Sequence, residues 1–398
     1  MAVKLQPSSA PAPDTSQPAA GAIPPDPMIG DLVRHMEAKC GAGAALTLDD
    51  DEVLCHVTGW IGTRSVAVDG AIGKPGIPLG RITEIMGGEG CGKSSLLDHV
   101  LGECQRVGGV SALADTEEAR DLAYSQRIGV VVPKLIVLPA RTIEEVFTKV
   151  EEFVTGAKMI FERQRVAWEV ACKEAKKKKA PAPPEPQTRP IVIGWDSVGG
   201  TPTAAEMKDG AGDAHMATAA KVIKQNLRRL VQFIAEERIG LVAVNQVYSK
   251  LGGYGGEVAY GGGGFPYHAT LRLQLAHRGL VWWTKKDQEE HRSPVGQICS
   301  VKTIKNKMAP PMRYRKFVIV YGVGVDNTWN FFEDFRDSGL IETKGGWSKF
   351  SETLAEAAGG VLPDNSFQGW PELREMCADR KVYEALERVY RAQEASRT

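Results

Sequence analysis

The chain carries no excess charge: 49 Lys and Arg stand against 49 Asp and Glu in 398 residues. Bulk charge therefore says nothing for nucleic acid, and any nucleic-acid site has to be local. Cysteine is scarce, seven residues without C-x-x-C or Cys/His ligand spacing. That argues against a disulfide frame or a zinc site and suits a reducing cytosol. No apolar run approaches the roughly 18 residues of a membrane helix, so no membrane partner is expected. The N-terminal residues show no charged segment leading into an apolar one, so no secretory signal is expected and a cytoplasmic location is. The length permits one large core and one or two small satellites.

What is present is organised. Residues 1–27, rich in Pro, Ala and Ser, are expected to be disordered. Ile29, Leu32, Val33 and Met36 predict a helix over Met28–Lys39, in an N-terminal and oligomerisation segment of residues 28–60. From Gly80 to about Tyr321 strand and helix patterns alternate, the α/β signature, within a core assigned to residues 61–326. Strands are predicted at Ile82–Met86, Val110–Ala114, Ile191–Trp195, Ile239–Val244 and Leu271–Leu275. Helices are predicted over Ser94–Val107, from the capping box Thr142–Glu145 onward, and over Met216–Glu237. An insertion at 158–190 ends in a lysine run and a proline-rich linker, read as a solvated insertion or an auxiliary phosphate contact. Residues 327–398 are expected to form a small C-terminal domain with helical patches at Glu352–Ala358 and Pro371–Ala392.

Gly87-Gly88-Glu89-Gly90-Cys91-Gly92-Lys93-Ser94 fits G-x-x-x-x-G-K-[ST] between a predicted strand and a predicted helix, the context that makes this phosphate loop specific. Its glycines let backbone N–H groups curl around phosphate oxygens, and the helix N-terminus adds positive potential. Lys93 would reach the β- and γ-phosphates and Ser94 would bind Mg²⁺. The apolar strand ending in Asp196 offers a carboxylate for the same Mg²⁺, with Ser197 beside it. Asp115-Thr116-Glu117-Glu118 closes the second strand, where a carboxylate can orient a water for in-line attack. Val244-Asn245-Gln246 ends a strand with side-chain amides that can sense a γ-phosphate. The stretch Leu251–Gly264 that follows is so rich in glycine that it is expected neither to pack a core nor to hold a rigid element, and to order on ligand binding.

These residues together resemble the bacterial RecA recombinases. TRSVAVDGAIGKPGIPLGRITEIMG is similar to the family's approach to its phosphate loop, and DTEEARDLAYSQRIGV to its catalytic-glutamate segment. Gly212–Met216 resembles the end of its first DNA-binding loop, VNQ with the glycines its second, VKTIKNKMAPP its lysine pair and GGWSKF a signature near its C-terminal domain. The resemblance implies that Glu117 is the catalytic base, that Asp121 and Tyr124 contact adenine, and that Ser95 joins the nucleotide-binding residues. It implies that Gln246 is the γ-phosphate sensor and that Lys305 and Lys307 act on a neighbouring subunit's γ-phosphate. Met216, Lys250, Leu251, Gly261 and Gly262 would meet DNA, and Tyr267 would be an interface aromatic. Two lysines two residues apart on one strand would share a face. The chain departs from the family in the 158–190 insertion, in the shorter, more glycine-rich second loop, at Pro266 and at Glu118.

The expected fold is therefore a RecA-type P-loop ATPase core with a twisted, mostly parallel sheet, an N-terminal helix and a small C-terminal α/β domain. The expected activity is DNA-dependent ATP hydrolysis, with ATP and Mg²⁺, in a helical homo-oligomer on single-stranded DNA that pairs with homologous double-stranded DNA. A hexameric RecA-fold helicase and an ATP-binding scaffold without turnover are the rivals.

Overall fold

The computed structural model describes residues 26–47, 57–118, 120–186, 188–209, 215–235, 237–249, 257–283 and 293–396. Contacts divide the chain into two units, Met1–His56 and Val57–Thr398. In the first, α1 (Pro27–Cys40) is capped by Asp26, whose side chain accepts from the Met28 N–H, with Pro27 in the first turn where its missing donor costs nothing. Met28, Ile29, Leu32 and Met36 are exposed.

The second unit begins with β1 (Trp60–Ile61), α2 (Val66–Ile72), β2 (Ile77–Pro78), β3 (Ile82–Gly87), α3 (Lys93–Arg106), β4 (Val110–Asp115), α4 (Leu122–Arg127) and β5 (Leu135–Val137). It continues through α5 (Ile143–Lys177), β6 (Ile191–Asp196), α6 (Ala204–Asp209), α7 (His215–Ile234), β7 (Ile239–Ser249), β8 (Glu257–Ala259), α8 (Gly264–His268) and β9 (Leu271–Val281). Three further strands, β10 (Gly296–Asn306), β11 (Tyr314–Val320) and β12 (Gly324–Asp326), complete the main sheet.

That sheet runs β12-β11-β10-β9-β3-β7-β6-β4-β5, with β8 paired to β7. From β9 to β5 all neighbours are parallel. Parallel strands are covered on both faces, and β3 and β6 are accordingly buried along their whole length. One face packs on α2 and α3 through Val68, Ile72, Leu96, Leu97 and Val100. The other packs on α5, α7 and α8 through Phe147, Val150, Ile223, Leu227 and Phe265. The carboxyl ends of β3, β4 and β6 thus meet on one edge, where open α/β sheets bind ligands.

Three expectations change, and the insertion gains detail. The strand–helix alternation stops at β9: β10, β11 and β12 form an antiparallel run without intervening helices, because short turns suffice between antiparallel strands. The 158–190 insertion begins as helix, α5 continuing to Lys177, and the prolines fold back so that Trp168 Nε1 donates to Pro183 O at 2.9 Å. The described part of the glycine-rich stretch, from 257 onward, packs: β8 pairs with β7, and Gly261 and Gly262 turn against α7. The predicted helix Pro371–Ala392 is two helices, Gly369–Met376 and Arg380–Ser396, broken where Asp379 accepts from the Lys381 N–H and starts the second.

Residues 327–396 add the helices Asn327–Asp337, Glu352–Ala357, Gly369–Met376 and Arg380–Ser396 and the hairpin β13 (Ile341–Lys344) and β14 (Trp347–Phe350). Their apolar centre, with Phe331, Phe335, Phe367, Leu386 and Tyr390, is continuous with Val66 and with Val318 and Val320 of β11. Among the described residues no helix is long and apolar enough to cross a membrane.

Candidate active site

The turn from β3 into α3 is shaped by contacts that only glycine tolerates. Gly92 has φ +88°, and a Cβ there would lie 2.3 Å from Ile319 Cδ1. Gly92 leaves the N-terminus of α3 without a side-chain cap, so its first N–H groups remain for an anion. Gln297 of β10 braces the loop, its amide donating to Gly90 O at 2.8 Å. Lys93 Nζ donates to Gly88 O at 2.6 Å, folding its ammonium over the loop. Gly88, Glu89, Gly90 and Ser94 are exposed, whereas Cys91 is buried and turns into the core.

A cavity of about 430 Å³ opens above this loop, lined by Gly87, Lys93, Ser94, Glu117, Asp196 and Gln246 among others. Residues from three strands, from the turn after β4 and from the start of α3, far apart in sequence, therefore face one space. Gln246 lines it, but its neighbour Asn245 points the opposite way along the strand, buried and donating to Glu84 Oε1 at 2.7 Å. Of the two amides, only Gln246 faces the cavity. Glu84, itself fully buried, also holds the partly buried Arg272 of β9 at 2.5 Å, a link between β3, β7 and β9 beneath the loop.

Glu117 is exposed, and its Oε1 accepts from Ser197 Oγ. Ser197 in turn accepts from the Gly200 N–H at 3.2 Å. One carboxylate oxygen is thereby fixed in place. Asp115 accepts from the Glu117 and Glu118 N–H groups and shapes the turn that presents Glu117. Burial pushes the Asp115 carboxyl above the ordinary carboxylate range, against the pull of those two N–H groups.

Asp196 is buried, and burial raises its carboxyl above the usual range while the Arg120 guanidinium and the Ser94 hydroxyl draw it down. Arg120 Nη2 lies 2.9 Å from Asp196 Oδ2. Asp196 Oδ1 is buried without a hydrogen-bond partner of proper geometry, an acceptor that a hydrated cation beside Ser94 would use. Among the described residues no group of three or more His, Cys, Asp or Glu forms a ready metal cage. A Mg²⁺ here would thus depend on phosphate oxygens, its usual mode.

Beyond Ser95 the space widens into a second cavity of about 510 Å³, lined by Tyr124, Gln297, Ile319, Tyr321 and Gly322. Ser95 Oγ and the Tyr124 hydroxyl are 3.1 Å apart. Asp121 caps α4, accepting from the Ala123 and Tyr124 N–H groups, so it also sets the pose of Tyr124. Sequence reasoning missed Tyr321, Gln297, Ser197's bond to Glu117 and Arg120. Tyr321-Gly322 after an apolar strand was the one readable signal; the others depend on strands brought together by the sheet.

Lys305 and Lys307 line none of these cavities. The strand ends at Asn306, so the shared-face argument from strand spacing covers Lys305 alone, with Lys307 just past the end. Burial, then the charge of Lys307, lowers the pKa of Lys305, and its ammonium donates to Pro266 O at 2.6 Å and Tyr267 O at 3.1 Å. Tyr267 is 69% exposed, with the Lys224 ammonium 5.5 Å from its ring centre. Lys250, Leu251 and the side chain of Met216 lie outside the described residues. Gly261 and Gly262, expected at DNA, have φ +84° and +61°; a Cβ on Gly261 would lie 2.6 Å from Ile223 of α7. Close approach to α7 explains that glycine without a ligand.

The RecA N-terminal domain family matches residues 28–160 and 190–326, breaking off where the α5 extension and the prolines lie. The chain is 31% identical to Protein RecA of Nitratidesulfovibrio vulgaris over 331 residues, 82% of this chain and 81% of that protein. It is 31% identical to Protein RecA of Chlorobaculum parvum over 333 residues, 83% of this chain and 84% of that protein. It is 28% identical to Protein RecA 2 of Myxococcus xanthus over 318 residues, 79% of this chain and 78% of that protein.

Proposed function

The chain belongs to the RecA family, and from that premise we propose that it is a DNA-dependent ATPase that forms a helical filament on single-stranded DNA and carries out homologous pairing and strand exchange. The observation that carries this reading is the single cavity shared by Lys93, Ser94, Glu117, Asp196 and Gln246. Ser94 and Asp196 are the residues that would hold Mg²⁺, which when bound supplies positive charge at the β- and γ-phosphate oxygens.

The roles of the chain's own residues follow from their surroundings. The uncapped start of α3 and Lys93 bind the phosphates and offset the charge that builds on the leaving group. Glu117, steadied at one oxygen by Ser197, orients the attacking water and takes its proton on the other. Gln246 meets the γ-phosphate and passes its presence along β7 toward the residues that follow Ser249. Lys305 and Lys307 stand away from their own chain's cavities, which supports their service to a neighbour's nucleotide. Asp121, Tyr124 and Tyr321 surround the adenine end.

ATP hydrolysis measured with and without single-stranded DNA tests the reading; turnover that DNA leaves unchanged counts against it. Electron microscopy of the protein on DNA separates open filaments from the closed rings of a helicase.

A further inference from the structure

Arg120 lies outside the phosphate loop, yet carboxylates surround its guanidinium. Its side chain is 10% exposed and pairs with Asp98 of α3, whose side chain is 4% exposed. Asp98 is held at its other oxygen by Ser125 Oγ at 2.6 Å. Asp196 Oδ2 lies 2.9 Å from Arg120, and Asp115 Oδ2 lies 3.8 Å from its Nε. That Nε is buried without a hydrogen bond, so Asp115 acts on it through charge alone. Buried charges persist when paired. The guanidinium therefore has one place, against the carboxylate that a Mg²⁺ would need, and it occupies one of that carboxylate's two oxygens.

Resting on the Mg²⁺–ATP reading of this cavity, we propose that Arg120, anchored by Asp98, is a positioning residue that serves as a resident counter-cation for Asp196. It leaves Oδ1 as the free oxygen, keeps Asp98, Asp115 and Asp196 from repelling one another while no nucleotide is bound, and makes divalent cation binding conditional on nucleotide. A cation arriving alone meets an Asp196 already neutralised and a positive charge beside it. A cation arriving on a triphosphate brings the negative charge that offsets that repulsion. The absence of a three-ligand cage among the described residues fits the same dependence.

The test uses Mn²⁺ alone as probe, its free concentration read by electron paramagnetic resonance, on the full chain without nucleotide. Three proteins are compared: the parent, Arg120→Lys, and Arg120→Gln with Asp98→Asn, which keeps hydrogen-bonding groups but removes both charges. The charge-free pair should bind Mn²⁺ more tightly than the parent, by up to roughly tenfold, because the guanidinium that leaves contacts Asp196 whereas the Asp98 carboxylate that leaves with it is paired to that guanidinium. Arg120→Lys should stay close to the parent. Equal Mn²⁺ affinity in the parent and the folded charge-free pair overturns the proposal, and so does a lysine variant that gains metal as the pair does. Melting curves without ligand report folding; if the pair does not fold, Arg120→Leu with Asp98→Leu carries the same expectation. A parallel titration of the parent with a fluorescent ATP analogue and Mg²⁺ separates the two readings: no binding there overturns the nucleotide-site assignment itself.

Discussion

Glu117→Gln offers a test whose size can be worked from the site. Ser197 Oγ donates to Glu117 Oε1, and an amide oxygen still accepts that bond, though more weakly than a carboxylate, so the variant should keep its pose. What it loses is the ability to take a proton from water. A general base contributes about 10²- to 10⁴-fold, equivalent to about 2.7–5.5 kcal/mol of barrier. Ser197→Ala loses only the positioning bond to a charged acceptor, worth about 1.5–3 kcal/mol when fully expressed. That corresponds to a slowing of about 10- to 150-fold. If Ser197 acts through Glu117, combining the two substitutions slows hydrolysis no further than Glu117→Gln alone. The assay is single-turnover ATP hydrolysis at saturating single-stranded DNA, with nucleotide affinity measured separately. Multiplied losses in the double variant would refute the coupling, and a parental rate in Glu117→Gln would refute the base.

Three more outcomes are expected. Mixing Lys305→Ala/Lys307→Ala with Lys93→Ala, each inactive alone, should restore some DNA-dependent hydrolysis at mixed interfaces; no recovery at any ratio places the lysines' role within one subunit. Gln246→Ala should bind ATP yet lose the gain in single-stranded DNA affinity between ADP and a slowly hydrolysed ATP analogue, measured at one salt concentration; a preserved gain moves the sensor elsewhere. His99, whose Nε2 accepts from the Val325 N–H at 2.8 Å, has its pKa lowered by burial, then by Arg64, from 6.5 to about 3. The unfolded chain then binds a proton that the folded one refuses, so stability is whole above pH 6.5 and falls below it. By pH 5 the loss is about 2 kcal/mol. Urea midpoints at pH 7 and pH 5 should differ less in His99→Gln than in the parent; an unchanged difference would show that another group carries it.

How much of this was legible depends on the distance between the residues involved. The phosphate loop is eight consecutive residues, and its glycines, lysine and serine need only a strand before and a helix after. Asp196, Glu117 and Gln246 were legible for a related reason: each stands in a segment of recognisable local pattern, on or just past a buried strand. The long α5 extension was hidden because alanine, glutamate and lysine suit both a helix and a solvated run, and a local pattern does not show the bond from Trp168 back to Pro183. The glycines at 261 and 262 read as slack because sequence cannot show that α7 lies against both, close enough at 261 to exclude a Cβ.

The sequence by itself determined the α/β class, the order of the parallel strands' helices, the phosphate loop and the carboxylates able to serve it, since these follow from hydrophobic period and local backbone chemistry. Only the tertiary structure decided which groups share a space. It turned Asn245 onto Glu84 and Gln246 to the cavity, set Gln297 of β10 and Tyr321 just past β11 beside a loop some two hundred residues earlier, and put Arg120 between Asp98, Asp115 and Asp196. Those pairings rest on strand order and on charges that are affordable in the interior only when matched, and neither quantity is written along the chain.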